Sequence, residues 1–288
     1  MLRSLFFAFA LFSPLAATVG FTPFYSPTTQ CGPFTVNWGA SNVTTGPPFI
    51  LLILPFDAPA AILKLPDSSF DATTKTGKYT LDKLPLKSGA QFVVTMDDGY
   101  GMCVSPPIRL GALTRPSGPH LPTGRGTGGV SLIQTVGSSS DASCLTADVS
   151  SMSSFFTLNP AIPSQCSPQT VSWNSTRYRE PPDIRGLIPG GQSFTLDRPT
   201  SNSTTQTAWD VHIREGTQLL FLVQPAASIQ NTSGDGDART GPLITVTGKS
   251  SLGDTCLDTN SPSSTVVSAA TASIPIFPGT TDPSGNVK

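Results

Sequence analysis

The chain has 288 residues, length for about two domains, with a formal net charge of −1 and only 12% Asp, Glu, Lys and Arg. Ser and Thr together number 71, and Gly and Pro 54, a composition that excludes a helical protein. So little net charge supplies no long-range field to hold nucleic acid or an anionic membrane surface.

The N-terminus carries Arg3 ahead of an apolar run, Leu5-Phe6-Phe7-Ala8-Phe9-Ala10-Leu11-Phe12, and then the small residues Ala16, Ala17 and Gly20. This is the pattern of a secretory signal peptide over residues 1–20, with the mature chain expected to start between Thr18 and Phe21. A membrane anchor would need about 20 apolar residues, and Pro14 interrupts the run too early. Four N-glycosylation sequons, at Asn42, Asn174, Asn202 and Asn231, lie among Pro, Gly and polar residues where loops would present them to solvent.

From Phe21 onward one unit is written twice. Phe21, Gln30-Cys31-Gly32-Pro33 and Thr35-Val36-Asn37-Trp38 return as Phe156, Gln165-Cys166-Ser167-Pro168 and Thr170-Val171-Ser172-Trp173. Pro47-Pro48 before Phe49-Ile50-Leu51-Leu52-Ile53-Leu54-Pro55 matches Pro181-Pro182 before Ile184-Arg185-Gly186-Leu187-Ile188-Pro189. Gly89 to Val94 answers Gly216 to Phe221, and the copies close on Gly137 to Cys144 and Gly248 to Cys256. The runs are short, rich in Val, Ile, Thr and aromatics, and bounded by Pro, Gly, Asn or Ser, which predicts strands. Alternation puts Val36 and Trp38 on one core-facing side, as it does Val171 and Trp173. Phe92 to Met96 and Leu219 to Val223 are nearly continuous apolar runs, expected of central strands covered on both faces. The predicted fold is all-β: two tandem immunoglobulin-like antiparallel sandwiches, 21–148 and 156–259, joined by a linker at 149–155.

Cys31 and Cys144 bracket the first copy, and Cys166 and Cys256 the second, so each pair is expected to form a disulfide within its own module. Closing loops of that size restrains the unfolded chain by about 4–5 kcal/mol in the loop-entropy treatment. The pairs are 113 and 90 positions apart, and the difference of 23 matches residues 102–124, a Pro-rich stretch without a counterpart that holds the fifth cysteine, Cys103. Its codons permit a donor sequence at Gly101-Met102-Cys103, a branch sequence at Leu113-Thr114 and an acceptor at Thr123-Gly124. The segment therefore reads as an unspliced intron; the alternative is a disordered insertion loop with a free or intermolecular thiol.

Catalytic signals are few. Of two histidines, His120 lies in that insert, and His212 alternates with Val211 and Ile213 toward solvent, which leaves a Ser-His-Asp triad without a positioned imidazole. Asp97-Asp98 reads as a turn rather than a glycosidase carboxylate pair. Asp235-Gly236-Asp237 lacks the distal Glu of a calcium loop, and Gly124 to Gly129 lacks the Lys-Ser/Thr of a phosphate loop. No catalytic residue, metal ligand or cofactor is assigned. Trp38 and Trp173 read as core. Trp209 and Tyr79, at similar places in the two copies, suit either core or a sugar platform, while Tyr100 and Tyr178 are surface candidates. The candidate ligand contacts are therefore Tyr100, Tyr178 and Trp209. Residues 260–288, rich in Ser, Thr and Pro, are expected to be a disordered, O-glycosylated stalk without a membrane span.

The Gln-Cys-x-Pro-x-Thr-Val-x-Trp opening, the Pro-Pro before an apolar strand, Gly126-Thr127-Gly128-Gly129-Val130-Ser131, the Ser-Ser-Asp-Ala-Ser-Cys-Leu close and the Ser/Thr tail together resemble a group of secreted basidiomycete proteins of uncharacterised function. Each module is more distantly similar to the immunoglobulin-like N-terminal domain of yeast cell-wall proteins linked to β-1,6-glucan synthesis. Signal, sequons and resemblance together imply a non-enzymatic, secreted or cell-wall-associated fungal glycoprotein whose partner is wall polysaccharide or a surface protein. A secreted glycan-active enzyme and a structural glycosylated spacer are the alternatives.

Overall fold

A computed structural model describes residues 21–40, 46–98, 129–145, 155–178, 180–199, 204–225, 238–248, 255–258 and 261–262. The segment read as a signal, the insert at 102–124 with Cys103, Tyr100, and most of the stretches read as linker and stalk lie outside these residues. Strands of the first module are β1 (Phe21–Tyr25), β2 (Phe34–Ala40), β3 (Ile50–Pro55), β4 (Ala61–Lys64), β5 (Phe70–Asp71), β6 (Thr76–Leu81), β7 (Gln91–Asp97) and β8 (Gln134–Thr135). Those of the second are β9 (Phe156–Asn159), β10 (Pro168–Trp173), β11 (Asp183–Leu187), β12 (Ser193–Thr195), β13 (Gln206–Asp210), β14 (Gln218–Gln224), β15 (Arg239–Thr240) and β16 (Ile244–Thr245). Among the described residues the only helical element is a single 3-10 turn, Asp67–Ser69.

Each module is a pair of antiparallel sheets. Module one has an outer sheet in the order β1-β2-β6-β5 and an inner sheet β4-β3-β7-β8; module two has an outer sheet β13-β10-β9 and an inner sheet β12-β11-β14-β15, with β16 also on β14. Strand alternation sends Phe34, Val36 and Trp38 inward to meet Leu51, Ile53, Phe92, Val94 and Met96. In module two Val171 and Trp173 meet Ile184, Leu219, Phe221 and Val223 in the same way. Trp38 and Trp173 are buried, as predicted. Phe155, read as linker, instead belongs to the second core: it is buried, and its carbonyl accepts the Asn174 amide.

The second faces of β7 and β14 are covered as well, and the cover is the other module. Ile50, Leu52, Leu54 and Val93 form one apolar layer with Leu187, Leu220 and Leu222. The described residues accordingly fall in one compact unit, a stack of four sheets in which the two inner ones touch.

Backbone hydrogen bonds across this junction come in matched pairs. Val130 N donates to Gly191 O at 2.9 Å, and Thr240 N to Ala58 O at 3.1 Å; Gly190 N donates to Ser131 O at 2.9 Å, and Asp57 N to Gly241 O at 2.8 Å. Within the modules, Ser131 N bonds Val94 O as Gly241 N bonds Phe221 O, so Ser131 and Gly241 are equivalent, as are Val94 and Phe221. Asp57 and Gly190, equivalent in turn, share a left-handed backbone with φ of 53° and 69°. Residue i meets j while j's counterpart meets i's, the signature of an isologous interface. The duplicated modules pair like the halves of a twofold dimer written on one chain.

These equivalences correct the sequence alignment in three places. Superposing the two Pro-Pro pairs would set Leu51 against Arg185, but the ladders Ile50↔Asp97 and Asp183↔Gln224 make Leu52 the counterpart of Arg185. Gly137 matches Thr247 rather than Gly248, because Gln30 N bonds Gly137 O as Gln165 N bonds Thr247 O. Bridges Thr95↔Val130 and Leu222↔Thr240 make the connection after β7 17 positions longer in module one. Only part of the spacing excess therefore falls at the insert; the remainder lies in other connections.

A paired size exchange keeps both cores filled. Ile53 opposite Ala61 in module one becomes Gly186 opposite Phe194 in module two, and a Cβ on Gly186 would come 2.0 Å from the Phe194 ring. Gly186→Ala should therefore cost about 1–3 kcal/mol by overpacking, read as a lower urea midpoint with unchanged slope.

Candidate functional site

The two predicted disulfides are present. Cys31–Cys144 and Cys166–Cys256 have Cα separations of 5.4 and 5.5 Å. Cys31 N donates to Leu84 O and Cys166 N to Val211 O, fixing both bridges at the same corner of each module. Beside the first bridge, Asp141 accepts the Ser143 amide at 2.8 Å, and Lys83 Nζ stands 3.6 Å away. Hydrogen bonding from Ser143, helped by Lys83, holds the Asp141 carboxyl below the usual carboxylate range. Because its folded pKa is lowered, its contribution is complete above the ordinary carboxylate range and fades as pH falls through the lowered value. A carboxyl-carbon NMR titration should therefore place the Asp141 midpoint below that of a free Asp, and Lys83→Ala should move it upward.

The ligand contacts expected from the sequence fare unevenly. Tyr178, expected at the surface, is 3% exposed in the core of module two, because the turn after β10 folds back through Tyr178 N to Asn174 O at 3.0 Å. Trp209 is half-buried, with its ring 5.3 Å from Phe194 and 6.2 Å from Phe221, so neighbouring rings occupy it. Tyr100 lies outside the described residues. The strand ladders place Trp209 opposite Gln169, Leu81 opposite Phe34 and Tyr79 opposite Val36, which makes Leu81, not Tyr79, the counterpart of Trp209.

Asp97-Asp98, read as a turn, is buried. Asp97 ends β7 and receives Arg185 Nη1 at 2.8 Å and Nη2 at 3.1 Å, a bidentate ion pair across the module junction; both side chains are 3% exposed or less. This pair serves the junction rather than a cleft. His212, expected to face solvent from a strand, sits between buried Val211 and Ile213 beyond the end of β13 and is half-buried, with its Nδ1 shut away from solvent. Of the sequons, Asn174 is described: it is exposed, and its Oδ1 accepts from Thr176 N at 2.9 Å and Thr176 Oγ1 at 2.7 Å. The asparagines of the other three, Asn42, Asn202 and Asn231, lie outside the described residues.

A groove missed by the sequence reading opens on module one, where the edge strand β4 meets the outer sheet. It encloses about 450 Å³ and is lined by residues 62–67 and Tyr79. β4 ends because Pro66 has no amide to continue the ladder, and the chain turns there through Ser69 N to Pro66 O at 2.9 Å. Leu65 anchors the floor, 2% exposed, while Lys64, Pro66 and Asp67 face solvent. Tyr79 is half-buried: one side packs on the module core and the rest reaches the groove. In module two the neighbouring seam is spanned by Phe194 and Trp209, where module one has Ala61 and Leu81. The signal in the sequence was Tyr79 on a strand of alternating exposure, but not that β4 would stop short of it.

No group of three or more His, Cys, Asp and Glu able to hold a metal occurs among the described residues, and none of their helices is long and apolar enough to cross a membrane. No family model matches the chain, and no curated protein matches it.

Proposed function

We propose that this chain is a non-enzymatic secreted or wall-associated glycoprotein, built on two immunoglobulin-like modules, that makes weak carbohydrate contacts through the groove of module one. The observation that carries this reading is Tyr79 in an open groove with Lys64 and Asp67 at its rim. A pyranose has an apolar C–H face that rests on an aromatic ring and hydroxyls that pair with ammonium donors and carboxylate acceptors, and the groove offers one of each. Two disulfides suit an oxidising compartment, and exposed Asn174 suits glycosylation.

The test is binding of the mature glycoprotein to an array of wall oligosaccharides, followed by titration of any hit. Tyr79→Ala should weaken binding about tenfold, the loss of a ring contact worth roughly 1–1.5 kcal/mol, while Tyr79→Phe, which keeps the ring, should bind as wild type does. Absence of any hit, or a hit indifferent to Tyr79, would reject the groove as the site.

A further inference from the structure

We propose that the β3–β7 face of module one is selective for the β11–β14 face of module two and refuses a second copy of itself, and that Asp97 and Arg185 impose this choice. The twofold relation makes the consequence of each alternative pairing readable. Asp97 is equivalent to Gln224, and Leu52 to Arg185. In the observed pairing Asp97 meets Arg185, and the twofold mate of that contact places Gln224 toward Leu52. The state of Gln224 agrees: it is fully buried, and neither its Oε1 nor its Nε2 has a hydrogen-bond partner among the described residues.

Pairing module one with another module one would instead set Asp97 against Leu52 twice, burying two carboxylates without a cation. Pairing two copies of module two would set Arg185 against Gln224 twice, exchanging the carboxylate that each guanidinium chelates for a neutral amide. A lone buried charge is far costlier than a lone buried amide. Among the remaining contacts, Leu54 matches Leu187 and Val93 matches Leu220, and these do not discriminate. Ile50 matches Asp183, and Thr240, whose hydroxyl donates to Ala58 O across the junction, matches Val130, which adds to the difference between the faces. Selection by a buried charge that each wrong pairing strips of its bound counter-ion is specificity through penalising the alternatives. Its value to a duplicated chain is closure. Like-with-like pairing between chains would join molecules head to head and tail to tail without end, whereas unlike pairing is satisfied inside one molecule.

The test introduces a protease site between residues 146 and 154 of the full chain, cuts the folded protein, and lets the two disulfide-bonded halves exchange partners in mild urea before native mass spectrometry. Wild-type halves should re-form unlike pairs alone. In Asp97→Leu/Arg185→Leu, and in the uncharged but polar Asp97→Asn/Arg185→Gln should the first fold poorly, like pairs should rise to about half of all pairs, the statistical share for indifferent faces. Like pairs at that share in wild type, wild-type halves that fail to pair, or unlike pairs alone in both double variants would each overturn the proposal.

Discussion

Replacing Asp97 with Ala should lower stability by about 3–5 kcal/mol, among the largest effects of any single substitution in this chain. Arg185 is fully buried, and Asp97 supplies both of its close contacts; beyond them, among the described residues, Ser193 Oγ stands at 3.4 Å. Removing the carboxylate leaves a guanidinium shut away from water with no anion, and the penalty is that of an uncompensated charge rather than of a lost surface bridge. Asp97→Leu/Arg185→Met removes both charges at similar volume and should restore most of the loss or exceed wild type. Urea unfolding of the three proteins checks this. A loss below about 1 kcal/mol for Asp97→Ala would mean that water reaches the pair.

Removing one disulfide comes next in size. Cys31→Ser/Cys144→Ser should cost about 2–5 kcal/mol, because it frees a loop of 113 positions in the unfolded chain. Cys166→Ser/Cys256→Ser frees 90, and the logarithmic dependence on length makes the two differ by only about 0.2 kcal/mol on entropic grounds. Chemical unfolding of both double variants should give losses of similar size. A bridge whose loss were tolerated at no cost would have to be offset by relief of native strain, and both cysteines at the opening corner, Cys31 and Cys166, do hold positive φ, 52° and 58°.

Much of this architecture is legible in the residues themselves. The repeated Cys-x-Pro-x-Thr-Val-x-Trp carries the duplication and with it the disulfide partners, because cysteines at equivalent ends of equivalent modules have equivalent neighbours. The unbroken apolar runs at Phe92 to Met96 and Leu219 to Val223 announce strands covered on both faces. What they cannot announce is the identity of the second cover, since alternation says which side chains face away from water and is silent about what lies there. Asp97 and Arg185 are hidden for the same reason. Asp97 looks like a polar residue at the end of its strand and Arg185 like an interruption in a weak apolar one, and their meeting depends on two sheets brought together across 88 positions of sequence. Tyr178 reads as exposed because it follows a polar turn sequence, Asn174 to Arg177, yet that turn directs the chain back into the core. The groove is marked in the sequence only by Tyr79 itself, because its opening depends on where β4 stops relative to a strand in another sheet.

The four stacked sheets also carry a kinetic meaning. The amides of β3, β7, β11 and β14 are sealed between two apolar layers each, whereas β2, β9 and β10 have one face toward water. In deuterium exchange the inner strands of both modules should therefore protect their protons together and longest, opening only when the whole molecule does, while the outer sheets open in smaller steps. The slowest-exchanging region would then be a single block drawn from both repeats, with no boundary at the point where the sequence begins to repeat itself.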